Sequence, residues 1–78
     1  MNATQRSRVW VQYRSGQKQA VRDILQRAGA VFHYDFGDLE SFVVTLPENK
    51  LSMLSDNPAV ADYWYASMLT QNEPVLRI

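Results

Sequence analysis

The sequence predicts an α+β fold in which four strands form one antiparallel sheet and two helices cover one of its faces. Three observations lead there. Segments of period two and segments of helical spacing follow one another in the order βαββαβ. A chain of 78 residues buries only somewhat over half of the surface that its unfolded form exposes, so it builds one modest core and one domain. With 46% apolar residues and nine aromatic side chains, the composition is that of a folding chain and not of a disordered tail.

Arg8-Val9-Trp10-Val11-Gln12-Tyr13 is rich in β-branched and aromatic residues, with Val9, Val11 and Tyr13 on one face and Trp10 and Gln12 on the other. This is the first strand. Arg14-Ser15-Gly16 turns the chain, Ser15 is placed to cap a helix, and Val21, Ile24, Leu25 and Ala28 recur at helical spacing until Gly29. The outer face of that helix carries Lys18, Arg22, Asp23 and Arg27, with Asp23 and Arg27 spaced as an ion pair on a solvated surface.

From Ala30 the period becomes two. Alternation puts Ala30, Phe32, Tyr34 and Phe36 on one face of a second strand and Val31, His33 and Asp35 on the other. Gly37-Asp38-Leu39 supplies a turn, and Phe42, Val44 and Leu46 alternate with Ser41, Val43 and Thr45, so the two runs form a β-hairpin. Pro47 suits the first turn of a short helix holding Leu51 and Leu54, which Asp56-Asn57-Pro58 ends. Ala59 to Ala66 is the last strand, with Val60, Tyr63, Trp64 and Tyr65. Ser67 to Ile78 shows no helical pattern and contains Pro74. The expected organisation is a flexible N-terminus over 1–7, a domain over 8–66 and an extended tail over 67–78.

Right-handed crossovers fold this order into the ferredoxin-like arrangement, with both helices on one side of the sheet and the other side open. Trp10, Val31, His33, Val43 and some of Tyr63, Trp64 and Tyr65 are expected on the open side, more apolar surface than a soluble monomer usually leaves uncovered. A docking face is the consequence.

Charge and composition exclude several functions. Net charge is zero, and no basic run alternates with aromatic residues, so neither nucleic acid nor a membrane surface is an expected partner. Residues 1 to 29 hold six basic groups against Asp23, and residues 30 to 78 hold seven acidic groups against Lys50 and Arg77, giving +5 and −5. If the halves interleave, they attract over long range. The absence of cysteine excludes a disulfide framework, a thiolate zinc site and a cysteine nucleophile. The first residues lack the apolar core of a signal peptide, and no apolar run is long enough to cross a bilayer.

Chemistry-bearing residues are few. His33 is the single histidine, and no serine or acid is placed by a motif to complete a nucleophile, base and orienter set. His33 and Asp35, with Glu40 across the hairpin, are the one arrangement that suggests a proton-transfer pair or a partial metal site, set against a plain polar patch. Gly16, Gly29 and Gly37 are isolated punctuation and make no phosphate loop. No catalytic residue, cofactor site or metal site is expected.

The order and spacing of Val9-Trp10-Val11-Gln12-Tyr13, the Val21/Ile24/Leu25 helix, Gly29-Ala30-Val31-Phe32-His33-Tyr34-Asp35-Phe36, Phe42-Val43-Val44-Thr45-Leu46-Pro47, Leu51 to Leu54 and Asn57-Pro58-Ala59-Val60 together resemble the propeptide of subtilisin-like serine proteases, the inhibitor I9 family, over roughly residues 8 to 71. The resemblance implies an intramolecular chaperone and temporary inhibitor, not an enzyme, secreted or periplasmic and monomeric when free. Its open face, here Trp10, His33, Val43, Asp62 and Trp64, would pack on two surface helices of a subtilisin-like protease in a 1:1 complex. Its tail, here Met68, Leu69, Thr70, Gln71 and Asn72, would occupy the substrate cleft. Met68 or Leu69 would fill the deepest upstream pocket, with Gln71 or Asn72 before the scissile bond. Asn72-Glu73-Pro74-Val75-Leu76 also looks like the start of a mature protease region, and cleavage after Ile78 is the other placement. Where the family commonly has two glutamates and an aspartate to cap the protease helices, this chain has Trp64-Tyr65-Ala66, and Asp62 is the one acid nearby.

Two other readings use the same fold. One is an assembly or ligand-sensing module that dimerises through the open face. The other is an acylphosphatase-like hydrolase, for which Arg14-Ser15-Gly16 is too short to cradle an anion. The aromatic strands also suggest an RNA-stacking sheet, but its basic, glycine-flanked aromatic motif is missing.

Overall fold

Alternating Val9, Val11 and Tyr13 need one apolar neighbour layer, and the strand that carries them, β1 (Arg6–Tyr13), lies inside the sheet with a partner on each side. The computed structural model describes residues 5 to 66. It holds β1, helix α1 (Lys18–Arg27), β2 (Val31–Phe36), β3 (Ser41–Pro47), helix α2 (Leu51–Ser55) and β4 (Val60–Tyr65), with 3-10 turns at Gly37–Leu39 and Glu48–Lys50. The four strands run in the order β2-β3-β1-β4, all neighbours antiparallel. This is the ferredoxin-like α+β arrangement.

Both helices pack on one face. Val21 and Leu25 of α1, Ala28 at its C-cap and Leu54 of α2 join Val9, Val11, Tyr13, Phe42, Val44, Leu46 and Val60 in a single core. At roughly 1.5 to 3 kcal/mol for each large apolar side chain removed from water, this layer supplies most of the drive to fold. Tyr13 lies tilted against Phe42, and Phe32 meets the same ring edge-on.

Several local expectations give way. The first strand begins at Arg6, so Arg6 and Ser7, expected to be flexible, pair with Pro47 and Leu46. Gln5 extends the tie by accepting a bond from the Glu48 amide at 2.8 Å. Ser15 does not cap α1: the helix starts after Gln17 with no side-chain cap. Its C-terminus follows the sequence signal closely. Gly29 takes φ +85° while its own amide bonds Gln26 and the Ala30 amide reaches back to Leu25, a Schellman closure that a β-carbon would strain. Pro47 closes β3 instead of opening a helix, and a 3-10 turn intervenes before α2.

The outer face of α1 is more than a solvated surface. Lys18 and Arg22 reach the Asp35 carboxylate at 3.0 and 3.3 Å, and the Arg22 guanidinium lies over the Phe32 and Phe42 rings at 5.6 and 5.3 Å from their centroids. The guanidinium thus lids the core edge as a cation over ring faces while its amino edge reaches the carboxylate. These bridges join the basic first half of the chain to the acidic second half. Asp23 accepts a bond from Gln19 at 2.9 Å, on the turn before the expected Arg27.

Candidate docking face

The face without helices is built by the even positions of β1 and the odd positions of β3. Register sets Trp10 beside Val43 on one side and Trp64 on the other, and sets Gln12 beside Ser41 and Asp62. In β4 only Asp62 and Trp64 take this side. Val60 and Tyr63 pair with Tyr13 and Val11 of the core face, and the Tyr63 hydroxyl meets Ser55 of α2 at 2.9 Å.

Simple alternation fails in β2. The pairing runs Phe32 with Val44, then Tyr34 with Val43, so His33 is the extra residue of a bulge. A bulge shifts the phase of everything after it. Phe32 keeps its core position, but Tyr34 and Phe36, expected in the core, join Val31 and His33 on the open face. Asp35, expected beside His33, turns to the helix side and meets Lys18 and Arg22. The proposed His33/Asp35 pair is therefore split across the sheet. Among the described residues no three histidine, cysteine or acidic side chains come together as metal ligands.

The bulge completes a row of four rings across the sheet. Tyr34 stacks on Phe36 with centroids 5.3 Å apart and planes within 11°, Phe36 on Trp10 at 5.3 Å and 22°, and Trp10 on Trp64 at 5.9 Å and 14°. Trp10 and Phe36 belong to strands separated by β3, and they meet because the residue between them is small. Ser41 sits under this junction at 1% exposure, its hydroxyl donating to the Leu39 carbonyl at 2.9 Å, and Val43 beside it is 4% exposed. The end rings of the row are exposed, Tyr34 at 55% and Trp64 at 41%, and Trp10 and Phe36 between them are half-buried. Each stack contributes about 0.5 to 1.5 kcal/mol beyond its area, so the row holds its own shape before anything binds.

Polar groups flank the row. His33 Nε2 shares a 2.7 Å hydrogen bond with Thr45 Oγ1, and Arg8 pairs with Thr45 along the ladder. Partial burial first, and the Arg8 guanidinium second, hold His33 below the ordinary histidine value. At the other end Asp62 lies exposed beside Gln12, its carboxylate accepting the Tyr63 amide at 2.8 Å. All five residues expected on this face, Trp10, His33, Val43, Asp62 and Trp64, lie on it, and Tyr34, Phe36, Ser41 and Thr45 are added. The expected cleft residues Met68, Leu69, Thr70, Gln71 and Asn72 lie outside the described residues.

The β1–α1 turn shows no anion cradle. Arg14 donates from Nε to the Pro58 carbonyl at 2.8 Å and its amide bonds Ala59 at 2.9 Å, so it serves as a strut between two loops. Among the described residues no helix is long and apolar enough to cross a membrane. Comparison with family models, with curated proteins and with solved structures finds no match to this chain.

Proposed function

We propose that this chain is a propeptide-like inhibitor and folding chaperone of a subtilisin-like serine protease, docking by its open sheet face and inserting its C-terminal tail into the substrate cleft. One observation carries the reading: a pre-stacked row of four aromatic rings on a sheet face that, among the described residues, no helix covers. A rigid aromatic surface loses little side-chain entropy on binding and is the residue class that dominates interface energy.

Magnitudes assign the two parts different work. Covering the whole face, a flat footprint of roughly 400 Å², at about 25 cal/mol per Å² contributes at most about 10 kcal/mol, which is of the same order as the cost of association. The face alone gives weak binding. The tail adds backbone hydrogen bonds along a cleft edge and alternate side chains in its pockets, converting a weak contact into inhibition. With Trp64-Tyr65-Ala66 in place of acidic helix caps, ring burial takes the larger share of docking, and Asp62 is the acid on the face that remains.

The test is inhibition of a subtilisin-type protease by the 78-residue chain, followed as residual peptide hydrolysis over a concentration series. Inhibition is expected, and it weakens at least about tenfold when residues 67 to 78 are removed. Full protease activity at every concentration, with both a generic and a cognate enzyme, overturns the reading.

A further inference from the structure

The open face is also polarised along its strands, and the polarity is self-complementary. On β1, Arg6 and Arg8 precede Trp10 on this face, while Asp62 lies beside Gln12 past it. Two residues of extended chain span about 7 Å, so Arg8 lies about 7 Å to one side of the ring row and Asp62 about 7 Å to the other. The β2–β3 loop brings Asp38 and Glu40 to the Asp62 end. Charges at the two ends that would blur this pattern are held on the helix side: Glu48 by Ser7, Arg14 by the Pro58 carbonyl, and Lys18 and Arg22 by Asp35.

We infer that this face takes a second copy of the chain, packed sheet to sheet about a two-fold axis that runs across the strands. That axis lays the ring row on itself and turns one copy end for end. Arg8 then faces Asp62 of the partner subunit, twice by symmetry. A two-fold along the strands would instead set Arg8 on the partner subunit's Arg8, so charge selects the first axis. Arg8 and Asp62 of the partner subunit are offset by one strand spacing, about 4.8 Å, across sheets about 10 Å apart, a gap that an arginine side chain spans.

The size of the face sets the strength. Four strands about 4.8 Å apart and about six residues long give a flat footprint of roughly 400 Å², which side-chain relief enlarges. A standard stable complex covers about 800 Å² per partner, so the dimer dissociates in the micromolar range or above. It covers the same rings as protease docking, and the two associations compete. The inference does not depend on the protease reading: self-association is measured on the chain alone and inhibition in a mixture, so each fails or stands separately.

Sedimentation velocity of the full 78-residue chain from about 1 μM to about 1 mM is the experiment, with folding of each variant checked by circular dichroism. A monomer–dimer equilibrium is expected. Arg8→Asp and Asp62→Arg should each weaken it about tenfold or more, and the double reversal should restore it to within a few-fold of the parent. Should charge reversal unfold the domain, Arg8→Gln and Asp62→Asn read out the same loss. A monomer at every concentration, association beyond the dimer, indifference to the single substitutions, or failure of the double reversal to restore pairing each overturns the inference.

Discussion

The two faces of this sheet come from the same alternating strands and are closed in different ways. On the helix side, Val9, Val11, Val44, Leu46 and Leu25 are fully buried aliphatic side chains locked between layers, and Phe42 takes an edge-on and a tilted neighbour. On the other side, near-parallel rings lie over the buried Ser41 and Val43, with Tyr34 and Trp64 exposed and Trp10 and Phe36 half-buried between them. The first face is finished when the chain folds. The second is half finished: it has removed its small residues Ser41 and Val43 from water but leaves the rings above them partly open to a partner. Core geometry answers to volume, and docking geometry answers to ring orientation held in advance.

Truncating one ring from each face and following urea unfolding separates the two faces most directly. Phe42→Ala should cost about 3 to 5 kcal/mol, a large share of the roughly 5 to 15 kcal/mol that stabilises a small domain, because it empties a site bordered by Tyr13, Phe32 and the Arg22 guanidinium. Trp10→Ala removes two stacks and should cost about 1 to 3 kcal/mol. Equal costs for the two would mean that the open face is closed in solution as firmly as the core.

A smaller effect of opposite sign is expected at the turn that joins β2 to β3. Glu40, between the 3-10 turn and β3, takes φ +52° and ψ +46°, left-handed backbone that a β-carbon disfavours by about 1 to 2 kcal/mol. Its carbonyl accepts the Tyr13 amide at 2.9 Å, so the strained residue ties the hairpin to β1. Glu40→Gly keeps that bond and relieves the strain. After the extra freedom gained by the unfolded chain, the net gain should be about 0.5 to 1 kcal/mol, read as a higher urea midpoint at unchanged slope.

Element order, the core positions of β1 and β3, most of the α1 stripe and the helix stop at Gly29 were legible because each rests on local period or on one residue's backbone freedom; Ile24, expected in that stripe, is only half-buried. The bulge at His33 was not legible, since the period of two is uniform from Ala30 to Phe36 and nothing local marks one residue as extra. A volume argument held the missing signal. Phe32, Tyr34, Phe36, Phe42 and Tyr13 are more rings than one thin layer under a ten-residue and a five-residue helix accommodates. Asp35 pointed the same way, because shifting the phase turns it towards Lys18 and Arg22. The candidate face was named from Trp10, Val43 and Trp64, whose pairing runs in unbroken register from Val9 to Gln12, short of the irregularity at Ala61 in β4. Its continuity through Phe36 depends on Ser41 being small, which only register reveals.

The smallest expected effect concerns His33, at the bulge that separates the two arrangements of β2. Partial burial and, next, the Arg8 guanidinium disfavour its charged form, so its value in the folded chain lies below the ordinary 6.5 of the unfolded one. The neutral form is thus the one that the fold favours. Its contribution is fully present above about pH 6.5 and is lost as pH falls through the folded value, where the unfolded chain has already taken up its proton. The Thr45 hydroxyl accepts as readily as it donates, so protonation leaves the 2.7 Å bond in place and the loss comes from desolvation and from Arg8. Urea midpoints at about pH 8 and about pH 5 should therefore fall further for the parent than for His33→Gln, and Arg8→Gln should remove only the lesser part of the difference. A drop of equal size in all three would place the pH dependence elsewhere and leave the bulge a purely geometric device.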